Sequence, residues 1–147
     1  MKRFLVLFSF LCLAQAHIAY AQPKRVNAII LITEAETPEE EFSEAMQSLI
    51  SKGIEVISYD RELYIIKCIG PQTKSRTKAE CTLICLQDED RVILRVTGRY
   101  TNPIDDFRSE SVIEFRGQKG SVAMQAWNSM HEVAYLIPHR ELLYDTL

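Results

Sequence analysis

The sequence predicts an α+β fold: an antiparallel sheet of four to six strands with two helices packed on one face. Three observations carry that expectation. A capped helical pattern over about 38 to 52 follows an apolar, β-branched run, strand-like patterning then holds for about sixty residues from Ile54, and helical spacing returns after Gly120.

The opening residues 1 to 22, MKRFLVLFSFLCLAQAHIAYAQ, have a basic start at Lys2 and Arg3, an apolar run from Phe4 to Ala14, and a small-x-small site at Ala19, Tyr20 and Ala21. That is the layout of a secretory signal peptide, and the apolar run is too short to span a bilayer. Leu11, immediately before Cys12, argues against lipoprotein processing. The expectation is a signal peptide over 1 to 21, cleavage after Ala21, and one exported domain over 22 to 147, periplasmic or extracellular.

Val26 to Thr33 (VNAIILIT) reads as a strand buried on both faces or as the opening strand of a sheet. Thr37 and Glu40 then form a T-x-x-E capping box with Pro38 at the first helical position, and Glu39 to Glu41 lie where the helix dipole favours negative charge. Phe42, Ala45, Met46, Leu49 and Ile50 recur at helical spacing, and Gly53 ends the helix. Five strand patterns follow, IEVISY, LYIIKCI, ECTLICL, RVILRVTGRY and SVIEF, separated by polar segments. Beyond Gly117 and Gly120, Ala123, Ala126, Trp127, Met130, Val133 and Ala134 mark a second helix that Pro138 stops. The tail HRELLYDTL reads as a short strand or a frayed end.

Simple hairpins through the polar segments predict a register. One face then carries the rows Ile54, Cys68, Cys81, Val96; Val56, Ile66, Leu83, Leu94; and Ser58, Tyr64, Cys85, Val92. This almost wholly apolar face is the side that the helices must cover. The opposite face carries Glu55, Lys67, Thr82, Arg95; then Ile57, Ile65, Ile84, Ile93; then Tyr59, Leu63, Leu86, Arg91. An outward apolar row of this kind marks a contact surface unless the tail, the first strand or a loop lies across it. The candidate binding residues are therefore Ile57, Tyr59, Leu63, Ile65, Ile84 and Ile93.

Three cysteines remain after cleavage, so at most one intramolecular disulfide can form. Cys81 and Cys85 are about 13 Å apart along one strand, too far to bond. Cys68 and Cys81 fall directly opposite each other and are the candidate disulfide, on condition that their pair is of the non-hydrogen-bonded kind.

The chain has 147 residues, 47% apolar and 25% charged, with a net charge of −3. Loss of Lys2 and Arg3 from the 17 basic residues leaves 15 against 20 acidic ones, a net charge of −5. An acidic balance argues against nucleic acid as a partner. No later stretch approaches eighteen consecutive apolar residues, so no transmembrane segment is expected after cleavage.

Motifs for catalysis are thin. His131 borders the buried face of the second helix, and His139 sits in the tail without an identifiable partner. Zinc ligation by Cys81, Cys85, His131 and His139 has no supporting spacing, and Asp88 to Asp90 lacks the alternating oxygen ligands of a calcium loop, so no metal is expected. Lys74, Arg76 and Lys78 read as a soluble hairpin tip, and the glycines of Gly117-Gln-Lys-Gly120-Ser121 as a strand-to-helix turn. G-x-S-x-G, P-loop, H-E-x-x-H and C-x-x-C motifs are absent from the sequence, and no cofactor is expected.

The order strand, helix, four or five antiparallel strands, helix, together with the closing segment GSVAMQAWNSMHEVAYLIP (Gly120 to Pro138), resembles the β-α-β4-α arrangement of the TATA-binding-protein-like fold found in exported bacterial domain-of-unknown-function families. The additional strand SVIEF departs from that pattern. Such families have no assigned activity, so the resemblance implies a fold and no functional residues, and a shared fold does not transfer DNA binding.

The resulting expectation is a non-catalytic module that binds a protein or cell-envelope partner, or a second copy of itself, through the open sheet face. Two alternatives stand beside it. One is a small-ligand carrier or enzyme with a pocket near Tyr64, Ser58 and His131; the other is a structural envelope component.

Overall fold

A computed structural model describes residues 25–102 and 109–146, so the expected signal peptide and Cys12 lie outside the described residues. Seven strands and two helices follow one another: β1 (Ala28–Ile32), α1 (Pro38–Ser51), β2 (Glu55–Asp60), β3 (Ile65–Ile69), β4 (Lys78–Asp88), β5 (Arg91–Thr101), β6 (Glu110–Val112), α2 (Val122–Tyr135) and β7 (Glu141–Asp145). All strands join one antiparallel sheet in the order β2-β3-β4-β5-β1-β7, with β6 also paired to β5. The expected α+β class therefore holds, with one strand more than expected because the tail is a strand. No helix among the described residues is long and apolar enough to cross a membrane.

Local chemistry accounts for the helix ends. Thr37 caps α1, its Oγ1 accepting from the Glu40 backbone N–H at 3.2 Å, while the Glu40 carboxylate reaches back to the Glu36 N–H at 2.8 Å. The far end closes as a Schellman motif: Gly53, at φ 73°, donates to the Ile50 carbonyl, and Ile54 donates to that of Leu49. Ser121 caps α2 by accepting from the Met124 N–H at 3.3 Å.

The long hairpin of β4 and β5 makes eleven rungs, from Lys78↔Thr101 to Asp88↔Arg91. Its inward residues Ala79, Cys81, Leu83 and Cys85 face Tyr100, Gly98, Val96 and Leu94 across the strands. Phe42, Ala45 and Leu49 of α1 and Trp127, Met130 and Val133 of α2 complete the same core. Gly98 is required by close approach, because a Cβ there would stand 2.7 Å from Ile113 Cδ1 and 2.9 Å from the Glu80 carbonyl oxygen. The missing side chain lets Ile113 and Met130 reach the sheet.

The buried stripe of α1 is turned from the one that apolar spacing predicts. Ile50 is 64% exposed, while Glu41, expected to serve the helix dipole from solvent, is 1% exposed. Neither Glu41 carboxyl oxygen has a hydrogen-bond partner. Burial raises its pKa to about 7, an effect that the nearby Thr33 hydroxyl opposes and Glu44 and Glu40 reinforce. A carboxyl whose folded pKa exceeds its ordinary 4.5 contributes most below that value, and the contribution is lost as pH rises to about 7. Relative to a Glu41→Gln variant, urea unfolding of the wild type from pH 4.5 to 8 is expected to lose on the order of 3 kcal/mol of stability. Parallel stability curves for the two proteins would refute the buried-carboxyl assignment.

Candidate functional site

The helices occupy one side of the sheet, which leaves the other to be built from strand residues alone. Alternation places Ile65, Lys67 and Ile69 of β3 on this outer face, with Glu80, Thr82, Ile84 and Leu86 of β4 and Arg91, Ile93, Arg95, Thr97 and Arg99 of β5. Ile65 stands directly opposite Ile84, and Lys67 opposite Thr82, as predicted.

The other two hairpins depart from the predicted register. Asp88 and Arg91 form the last rung of β4 and β5, leaving only Glu89 and Asp90 in the turn, and Glu89 takes φ 55°. This tight turn shifts the pairing by two residues, so faces are kept but rows change. Ile93 lies opposite Leu86, and Arg95 takes its place opposite Ile84. In the first hairpin, Val56 pairs with Cys68 and Ser58 with Lys67, so Ile57 is the extra residue of a β-bulge. Beyond the bulge the faces exchange. Tyr59 pairs with Ile66 and turns to the helix side, its ring 6.4 Å from that of Phe42. Leu63 lies in the turn, 62% exposed. Of the six predicted binding residues, Ile65, Ile84 and Ile93 share the apolar part of the outer face; Ile57, Tyr59 and Leu63 do not join them.

Three residues that sequence reasoning missed take their place, beside Leu86, which it set on this face. β1 pairs with β5, which sets Ile30 beside Arg95 and Ile32 beside Ile93. β7 pairs with β1, which sets Leu143 beside Ile30. Leu86 belongs to the same patch through Ile93. The first strand and the tail thus widen the apolar surface edgewise instead of lying across it.

Exposure falls from the margin, where Leu143 is 40% and Leu86 36% exposed, to 9% at Ile30 and Ile93. Arg95 explains part of the gradient. Its guanidinium stands 3.7 Å from the Asp145 carboxylate, and since β1 separates β5 from β7, the side chain must cross β1 to reach it.

The remainder of the outer face is mostly polar, Ile69 and Val112 apart. A groove of about 510 Å³ runs between Lys67, Glu80, Thr82, Thr97, Arg99 and Glu110, with Arg99 and Glu110 paired at 3.4 Å.

The residues expected to line a pocket on the helix side do not converge. Ser58 faces outward opposite Lys67, Tyr64 packs 6.2 Å from Phe42 at α1, and His131 lies on α2. His131 Nε2 is 2.7 Å from the Tyr144 hydroxyl, and burial lowers its pKa. The same burial raises the Tyr144 pKa, with help from Tyr135. Beside them a cavity of about 290 Å³ is lined by Val26, Phe115, Trp127 and Tyr144. Among the described residues no group of three or more His, Cys, Asp or Glu is arranged to hold a metal.

Cys68 and Cys81 stand opposite each other as predicted, fully buried, but both thiols are free, as is that of Cys85. Their position in the ladder gives the reason. Gly70 donates to Ala79 and Cys85 to Tyr64, so the directly opposed residues at every second rung between them, Cys68↔Cys81 included, are hydrogen-bonded pairs. In such pairs the Cβ atoms stand at about 5.5 Å, beyond the 3.5–4.5 Å a disulfide needs. The Cys81 thiol is raised well above its ordinary range by the adjoining Cys68 thiol and by burial, and Cys85 is pushed up to about 12 by burial and then by Glu41.

No protein-family model matches the chain and no curated protein matches it, which leaves the geometry as the ground for a functional reading.

Thiols buried in apolar surroundings are inert toward alkylation. Iodoacetamide treatment of native protein spanning residues 22–147 is expected to leave all three cysteines unmodified, and unfolding without reductant to expose three alkylatable thiols by mass spectrometry. A mass lower by two hydrogens, with a single thiol alkylated, would restore the disulfide.

Proposed function

We propose that this protein is an exported, non-catalytic binding module whose contact surface is the apolar part of the outer sheet face, and that it takes a protein partner of the cell envelope. The observation that supports this reading is the cluster of Ile65, Ile84 and Ile93 with Leu86, Ile30, Ile32 and Leu143 across five strands, on the side that neither helix covers. Contiguous outward apolar residues rimmed by charge are the usual mark of a protein contact. Lys67 and Glu141 supply charge at its margin, and Arg95 crosses it from between Ile84 and Ile30 toward Asp145.

The test is an Ile65→Ser, Ile84→Ser double variant. Both side chains are only partly buried and belong to no core contact, so the stability cost is expected to be on the order of 1 kcal/mol. The folded variant should lose the envelope proteins that the wild type captures from extract. Equal capture by the two proteins would favour a structural component with no use for this face. A wild-type dimer that the double variant converts to a monomer in sedimentation would replace the partner by a second copy.

A further inference from the structure

Among the described residues the sheet ends in two outermost strands, with the three-residue β6 a further short edge beside β5, and the two ends are protected unequally. β2 is broken by the Ile57 bulge, one of the devices by which natural sheets blunt an edge. β7, with sequence ELLYD, pairs with β1 over five uninterrupted rungs from Ala28↔Asp145 to Ile32↔Glu141 and carries no bulge, proline or lysine. Among the described residues no strand pairs with its other side. Leu143 is 40% and Tyr144 52% exposed.

We propose that the free edge of β7 is a strand-addition site for an extended segment of a partner protein, apolar at its centre and basic at both ends. Main-chain hydrogen bonds to an open edge supply affinity in such complexes, and alternate side chains supply selectivity.

The side-chain pattern of β7 names the complement. Glu141, Leu143 and Asp145 share the outer face, through their partners Ile32, Ile30 and Ala28, while Leu142 and Tyr144 lie on the helix side opposite Leu31 and Ile29. An added strand therefore meets carboxylate, apolar, carboxylate along one face and two apolar side chains along the other. Glu141 has no ion pair among the described residues, and Asp145 has Arg95 at 3.7 Å. Cross-strand pairs of opposite charge stabilise a sheet and like charges directly opposite destabilise it. The fitting segment is thus basic-apolar-apolar-apolar-basic. A second copy of this chain does not fit: full antiparallel pairing of two β7 strands would set Glu141 opposite Asp145 at both ends.

This site is a sheet edge that shares Leu143 and Glu141 with the apolar face proposed above, but its recognition runs through the free main-chain groups of β7 and needs neither Ile65 nor Ile84. The test uses a fluorescent peptide with the core Lys-Val-Val-Val-Lys between Gly-Ser flanks, titrated with folded protein and read by anisotropy. Tighter binding than the Glu-Val-Val-Val-Glu peptide by at least about fivefold is expected, the size of effect two cross-strand charge pairs supply. Methylating the central backbone nitrogens should remove most of the binding, and Glu141→Lys should shift the preference toward the acidic peptide. Equal binding of acidic and basic peptides, or undiminished binding of the N-methylated peptide, overturns strand addition. The Ile65→Ser, Ile84→Ser variant should bind the basic peptide like the wild type, so failure of the face and failure of the edge are read separately.

Discussion

Everything in this fold attaches to the eleven-rung hairpin of β4 and β5. β3 pairs with one side of it, β1 and β6 share the other side end to end, and both helices pack across its inward residues. A slip of one residue between these two strands would turn out either Cys81, Leu83 and Cys85 or Val96 and Leu94 in favour of their outward neighbours and break up the core. The shift of two residues that the tight Glu89-Asp90 turn imposes preserves the core, because parity is unchanged. Faces are thus specified strongly and rows weakly. That difference governs which features could be read before folding and which could not.

The order of elements, the capped α1, the Ser121 start of α2 and the β3–β4 register were all legible, since each depends on local spacing or a short loop. Three things were not. The bulge at Ile57 was hidden because Val56 and Ile57 are both apolar and Ser58 and Tyr59 fit either side of a sheet, so one inserted residue leaves no mark on the alternation. The partners of β1 were hidden because AIILI is apolar at every position and carries no phase. The place of β7 depended on contacts from residues more than a hundred positions away. Half of the candidate site followed from local pairing, Ile65 and Ile84 above all. Ile30, Ile32 and Leu143 entered only with the long-range pairings.

Glu41 marks the limit of reading charge as a surface signal. Three acidic residues at the start of a helix are expected to serve its dipole from solvent. The packing of Phe42, Ala45 and Leu49 sets the rotation of α1, and at that rotation the third of the three points into the sheet. The carboxyl then faces Cys85 and Thr33, where burial favours its protonated form. The same rotation expels Ile50. Helix orientation was settled by the summed burial of several apolar side chains, each contributing on the order of 2 kcal/mol, which exceeds the cost of keeping one carboxyl neutral near pH 7.

Outward isoleucines admit a simpler account than contact, since β-branched residues stabilise strands wherever they stand. The sheet itself argues against it. Across β3, β4 and β5 the same outer face is built at one end from Lys67, Glu80, Thr82, Thr97 and Arg99, and these rungs pair as regularly as those of Ile65, Ile84, Leu86 and Ile93. Strand formation therefore does not require apolar residues on this side. Nor do the turns, which are closed by Asp60 and by the Asp88–Arg91 ion pair. What distinguishes the apolar end is that β1 and β7 are added there, each bringing further outward isoleucine or leucine, while Arg95 lies across β1 to meet Asp145. A surface whose apolar residues come from five strands, beside a polar end that pairs as regularly, fits the contact surface proposed above.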